Sequence, residues 1–195
     1  MTGAVRARLA SKNMHKLAEL RAALPDWELE LLEAVSFPAE EGETYLDNAL
    51  VKARFGRAAL SAGEAHVLGE DSGLEVEALG GGPGIHSNRW AAGEDHVDRL
   101  LAALEGIEGE GRRARYVCEL VDLSPAGVEL RGTGVLEGRV ATERRGNEGF
   151  GYDPVFVPAG ETRTVAELGD AWKSRNSHRA RAAQELSAAV EERAG

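Results

Sequence analysis

Apolar positions along this chain change period several times, and each change marks an element. Residues 5–10 read as a short strand, and the following SKNMHKLAELRAALP sets Met14, Leu17, Leu20 and Leu24 on one helical face until Pro25 stops it. Residues 27–32 look extended. After the acidic loop PAEEGE, a second helix is expected from the capping pattern Thr44 to Asp47 through Leu46, Leu50, Ala53 and Leu60, with Gly63 as its stop. Residues 65–68 form a brief apolar strand delivering Glu70 and Asp71, and Leu74, Val76 and Ala78 then alternate with acids as a half-buried strand would. Helical spacing returns over residues 95–104.

Residues 113–123 and 128–140 are rich in β-formers and joined by SPAG, which predicts a hairpin and therefore antiparallel pairing. Helices alternating with strands, plus that hairpin, give an α/β fold with a mixed sheet. The stretch ATERRGNEGFGYDP is too polar and glycine-rich for a core element, so Phe150 and Tyr152 need a neighbour to pack on or another purpose. A last helix starts near Ser177 and runs through Ala183, Leu186 and Val190. No repeat or low-complexity linker interrupts the chain, and 195 residues fit one domain, 1–195, with room for two lobes.

Charge narrows the choice of partner. With 23 basic against 33 acidic residues, net −10, the chain does not suit a broad electrostatic grip on nucleic acid, and any phosphate must be held by a few local cations. The one cysteine, Cys118, cannot form an internal disulfide, and no run resembles a signal peptide or a membrane span, so a cytoplasmic protein is expected.

Three segments invite chemistry. ASKNMHK leaves a strand and opens a helix, where free backbone N–H groups and the dipole favour an anion and Lys16 adds charge; an ordinary helix cap reads the same way, and the spacing is not that of a P-loop. Glu70 and Asp71 are adjacent on an extended chain and point to opposite faces, which excludes a glycosidase pair. One of them could instead hold a hard divalent cation together with Glu40 or Glu41, the alternative being a solvated acidic turn. Scattered histidines and a single thiol do not suit zinc. In NSHRARAAQEL, an N-cap at Ser177 puts His178 and Arg179 in the first turn, where the dipole disfavours cations; a helix starting upstream, near Asp170, removes the conflict.

Taken together, ASKNMHK, EDSGLEVEALGGGPGIHSNRW, GFGYDPVFVP and NSHRARA, in this order and spacing, resemble the inosine triphosphate pyrophosphatase family over nearly the whole chain. The resemblance implies an elongated mixed sheet flanked by helices, two lobes with a nucleotide cleft between them, Mg²⁺ dependence and a homodimer. It implies hydrolysis of non-standard purine nucleoside triphosphates (ITP, dITP, XTP) to the monophosphate and pyrophosphate, cleansing the nucleotide pool. On it, Asp71 binds metal and accepts a proton from the attacking water, with Glu40, or Glu41, as second metal carboxylate and Ser72 beside the substrate. Ser11, Asn13 and Lys16 match the phosphate-contacting loop, and Lys52, Arg89 and Lys173 match further substrate contacts. Phe150, Gly151, Tyr152 and Asp153 match the block that contacts the nucleotide, and His178 and Arg179 the pair that reads the base. The glycines from Gly80 to Gly84 would let the chain turn sharply and pack close to backbone. Lys12, Glu70 and Asn88 depart from the family's usual small residue, aspartate and alanine. The rival readings are a pyrophosphatase for other modified nucleotides and a nucleotide-binding protein without turnover; pyrophosphate release separates enzyme from binder.

Overall fold

The computed structural model describes residues 4–61 and 63–194. Six strands, β1 (Val5–Leu9), β2 (Trp27–Leu31), β3 (His66–Val76), β4 (Arg113–Leu123), β5 (Glu129–Val140) and β6 (Phe156–Pro158), form one sheet in the order β2-β1-β3-β4-β5-β6. β1 runs parallel to β2 and β3, and β5 antiparallel to β6, so the sheet is mixed, as expected, and the two strands of the expected hairpin, β4 and β5, are neighbours in it. The helices are α1 (Met14–Ala23), α2 (Tyr45–Ala59), α3 (His96–Ala103), α4 (Val165–Leu168), α5 (Asp170–Asn176) and α6 (His178–Ala194). Among the described residues no helix is long and apolar enough to cross a membrane.

Contacts divide the chain into two compact units, one of Met1–Asp71, Cys118–Gly134 and His178–Gly195, the other of Ser72–Val117 and Val135–Ser177. In the first, Leu17 and Leu20 of α1 and Ala182, Ala183 and Leu186 of α6 pack with Leu9, Leu68, Cys118 and Leu120. Ala49 and Ala53 of α2 pack with Val121 and Leu123. Alternate positions of β4 thus serve opposite faces of the sheet, as the period of two requires. In the second unit, Leu74, Val97, Leu100, Tyr116, Val155 and Phe156 form a separate core.

Two expected boundaries move. β3 is one strand of 11 residues rather than two pieces, because Gly69 and Gly73 are points of close approach and not breaks. A Cβ on Gly69 would lie 2.0 Å from the Ala49 carbonyl oxygen, and one on Gly73 2.2 Å from that of Gly84. α2 keeps its predicted capping box, Thr44 with Asp47, but ends at Ala59, with Leu60 extended, before Gly63 is reached.

Candidate active site

The alternation of β3 decides which acid does what. Leu68 packs with α1 and α6, while Gly69 lies against α2. Glu70 accordingly meets Lys16 and Arg179, and Asp71 meets Asn48 and Lys52, on the opposite side. The opposite facing expected of adjacent strand residues holds at side-chain level.

On the α2 side, Lys52 Nζ donates to Asp71 Oδ1 at 2.8 Å and to the Glu70 carbonyl at 3.0 Å, and lies 2.5 Å from Glu40 Oε1. The three acceptors match the three donors of an ammonium. Burial works against the charged lysine, but Asp71, Glu70 and Glu40 outweigh it and raise its pKa. Burial raises the Asp71 carboxyl above the ordinary range and Lys52 offsets this only in part, which leaves Asp71 more basic than a solvated aspartate. Asn48 Nδ2 donates to Asp71 Oδ2 at 3.1 Å, while its Oδ1 accepts from Gly42 N at 2.9 Å. That second bond ties the PAEEGE loop to α2 and brings Glu40 to Lys52; Glu41 is exposed.

On the other side, Glu70 is fully buried. Burial alone would raise its pKa; Lys16, then Arg179 and Lys52, hold it well below the usual carboxylate range. Lys16 Nζ lies 2.6 Å from Glu70 Oε2, and the Arg179 guanidinium donates to Glu70 Oε1 at 3.0 and 3.2 Å and to Glu19 Oε2 at 2.5 Å. This resolves the conflict at the last helix. α5 ends at Asn176, Ser177 is extended with φ −65° and ψ 161°, and α6 begins at His178, so the upstream start and the break both occur. Two carboxylates, neither from the helix itself, compensate Arg179 at a terminus that repels it. The residues expected to read the base, His178 and Arg179, are both buried, and the guanidinium is paired with Glu19 and Glu70. Cys118 donates to Glu70 Oε1 at 3.5 Å, and burial and that carboxylate push its thiol pKa well up, away from nucleophilic use.

At the first loop, Asn13 caps α1 by accepting from His15 N and Lys16 N, and Ser11 Oγ accepts from Asn13 N at 3.0 Å. Lys12 turns away, donating to the Val35 carbonyl and lying 5.8 Å from the Phe37 ring centre.

In the second unit, Asp153 Oδ2 accepts from Lys173 Nζ at 2.5 Å and from Phe150 N at 2.7 Å, and Lys173 Nζ sits 4.1 Å from the centre of the Phe150 ring. Phe150 is half-buried and Gly151 exposed. The Tyr152 ring packs in the core of this unit, edge-on to His96, and its hydroxyl donates to the Ser87 carbonyl at 3.3 Å. Burial pushes its pKa up to about 12. Arg89 is exposed, its Nη2 2.9 Å from His86 Nδ1, and Ser72 is half-buried on β3. In the glycine-rich turn, Gly80 and Gly81 have φ of 60° and 89°, yet a Cβ on either would meet nothing within 4 Å. These two serve the turn, while the close backbone approach expected of the segment occurs at Gly84, whose carbonyl lies against Gly73, and at Gly82, where a Cβ would lie 3.2 Å from the Leu79 carbonyl.

Among the described residues no group of three or more His, Cys, Asp or Glu side chains gathers around one point. Glu40 and Asp71 nevertheless converge on a single cation, the Lys52 ammonium, with oxygens 2.5 and 2.8 Å from it. Two carboxylates around one cation position fit Mg²⁺, which takes few protein oxygens and completes its shell with water and phosphate.

Sequence reasoning missed Asn48 and Glu19. Both carried a usable signal: Asn48 precedes Lys52 by four residues and Glu19 follows Lys16 by three, the spacings that share a helix face.

The family model described as the Ham1 family matches residues 7–189. A dITP/XTP pyrophosphatase of Symbiobacterium thermophilum is 45% identical over 179 residues, covering 89% of each chain. One of Frankia alni is 42% identical over 96% of this chain and 98% of its own. Among solved structures, the Staphylococcus aureus Ham1 protein superposes with a TM-score of 0.82 at 32% identity, covering 96% of this chain and 99% of its own. A HAM1 protein from Coxiella burnetii gives 0.81 at 34%, with the same coverage. With a match from near one end to the other in sequence and in fold, the chain belongs to the Ham1 family.

Proposed function

We propose that this protein hydrolyses non-standard purine nucleoside triphosphates (dITP, ITP, XTP) between the α- and β-phosphates, releasing the monophosphate and pyrophosphate, with Mg²⁺ as cofactor. The observation that carries the reading is the convergence of Glu40 and Asp71 on one cation position, in a chain whose relatives are named dITP/XTP pyrophosphatases. Glu40 and Asp71 would hold the ion, which when bound offsets phosphate charge. Asp71, made more basic by burial, accepts the proton of the attacking water. Lys16 and Lys52 exchange carboxylate partners for phosphate oxygens and oppose the charge of the leaving pyrophosphate. Ser11, Asn13 and Ser72 complete the phosphate contacts, and Arg89, Phe150, Gly151, Asp153, Lys173 and His178 are proposed nucleotide contacts. Arg179 reads the base only by exchanging a carboxylate for the 6-oxo group of hypoxanthine or xanthine, an acceptor that adenine lacks. The family resemblance also supports a cytoplasmic homodimer that cleanses the nucleotide pool.

Pyrophosphate release measured with dITP, ITP, XTP, GTP and ATP tests this. The expected result is strong preference for the first three over ATP, abolished by EDTA and restored by Mg²⁺. Equal turnover of ATP, or release unaffected by EDTA, would overturn it.

Lys16→Ala tests whether that lysine has a second task beyond neutralising Glu70. A charge-assisted hydrogen bond is worth roughly 1.5–3 kcal/mol, so kcat/KM should fall about ten-fold to over a hundred-fold. Tm should fall as well, because Glu70 loses a partner. A lower Tm with unchanged kcat/KM would confine Lys16 to the ion-pair network.

A further inference from the structure

The second unit holds a cavity of about 340 Å³ that none of the residues assigned to substrate lines. Arg112, Arg139 and Arg145 stand in its wall, together with Thr142 and Glu143. Arg112 is only 8% exposed, yet its partners are all backbone carbonyls. Nε donates to Val140 at 2.9 Å, Nη1 to Leu104 at 2.9 Å and Ile107 at 3.1 Å, and Nη2 to Ala141 at 2.6 Å. These bonds use four of five N–H groups and hold the plane rigidly without neutralising its charge. Burial lowers its pKa, but a guanidinium remains cationic at any physiological pH.

The two other arginines are poorly compensated. Arg139 is exposed at the end of β5, and Arg145 Nη1 is 3.8 Å from Glu167 Oε2, beyond hydrogen-bond reach. Three arginines against one glutamate give the lining itself a formal +2, with Glu167 behind it near Arg145, in a chain of net −10. A buried cation answered only by neutral carbonyls is costly unless an anion completes it. A concave wall of one sign concentrates counter-ions, and the planar guanidinium fork matches tetrahedral oxyanions. The volume lies in the range of small-ligand sites.

We propose that this cavity is a binding site for a small phosphate-type oxyanion, with Arg112 as its fixed floor and Arg139 and Arg145 as closing side chains. The test is a titration of ¹⁵N-labelled, metal-free protein with inorganic phosphate, with pyrophosphate, and with sodium chloride at matched ionic strength. The amide signals of Gly109, Ala141 and Thr142 are followed. The expected result is a saturable shift at these amides with phosphate or pyrophosphate and none with chloride. Saturation by pyrophosphate alone would identify a diphosphate site, and saturation by phosphate a monophosphate site. The double variant Arg139→Ala/Arg145→Ala, altered only at accessible side chains, should weaken binding at least about ten-fold. Absence of a saturable shift at these amides, the same shift with chloride, or unchanged affinity in the double variant would overturn the proposal.

Discussion

Asp71→Asn is expected to lower kcat by at least about 10³-fold at saturating Mg²⁺ while the protein still folds. General-base catalysis is worth roughly 10²–10⁴ in rate, and the same substitution removes one of two carboxylates proposed to hold the ion. The fold should survive because the amide is isosteric and Asn48 and Lys52 remain beside it, Lys52 keeping Glu40 and the Glu70 carbonyl as acceptors. Circular dichroism should therefore match the wild type while pyrophosphate release is lost. A kcat within a few-fold of wild type, with the fold intact, would remove Asp71 from the chemistry and return the cluster to a structural ion pair.

The second large effect is expected on stability. Glu70→Gln leaves the buried guanidinium of Arg179 and the ammonium of Lys16 facing a neutral amide, with Glu19 the remaining carboxylate on Arg179. Removing one partner of a buried ion pair costs about 3–5 kcal/mol, or about 6–20 °C in Tm for a chain of this size. The effect depends on pH in a definite direction. The folded-state pKa of Glu70 is depressed, so its stabilisation is fully present above the unfolded value of 4.5 and is lost as pH falls through the lower folded value. Wild type should therefore lose stability on acidification below about pH 4.5 more steeply than Glu70→Gln, and the two Tm curves should converge. Parallel curves, or a Tm loss under about 2 °C at neutral pH, would show that the network is not what holds α6 against β3.

Local signals were enough for most elements. The stop at Pro25 and the capping box at Thr44 each act within one turn of their own residues, and α1 ends and α2 begins where these signals lie. The end of α2 is not legible in the sequence, because Ala59 and Leu60 carry no chemical mark of a stop. The single long β3 was hidden for a related reason: in sequence Gly69 and Gly73 look like breaks, and only packing partners distant in the chain show them to be contacts.

The residue types of the candidate site, and the opposite facing of Glu70 and Asp71, were determined by sequence, since a strand's period of two follows from backbone geometry alone. Partner choice was not. That Lys52 draws Glu40 to Asp71, that Arg179 is spent on Glu19 and Glu70, and that Tyr152 turns into the core while Phe150 stays beside Lys173 are decisions of the tertiary structure. They join residues up to 160 positions apart, such as Arg179 and Glu19. Charge and burial select among such pairings only once the chain has closed, because the stability of an ion pair depends on how much water the surrounding packing removes.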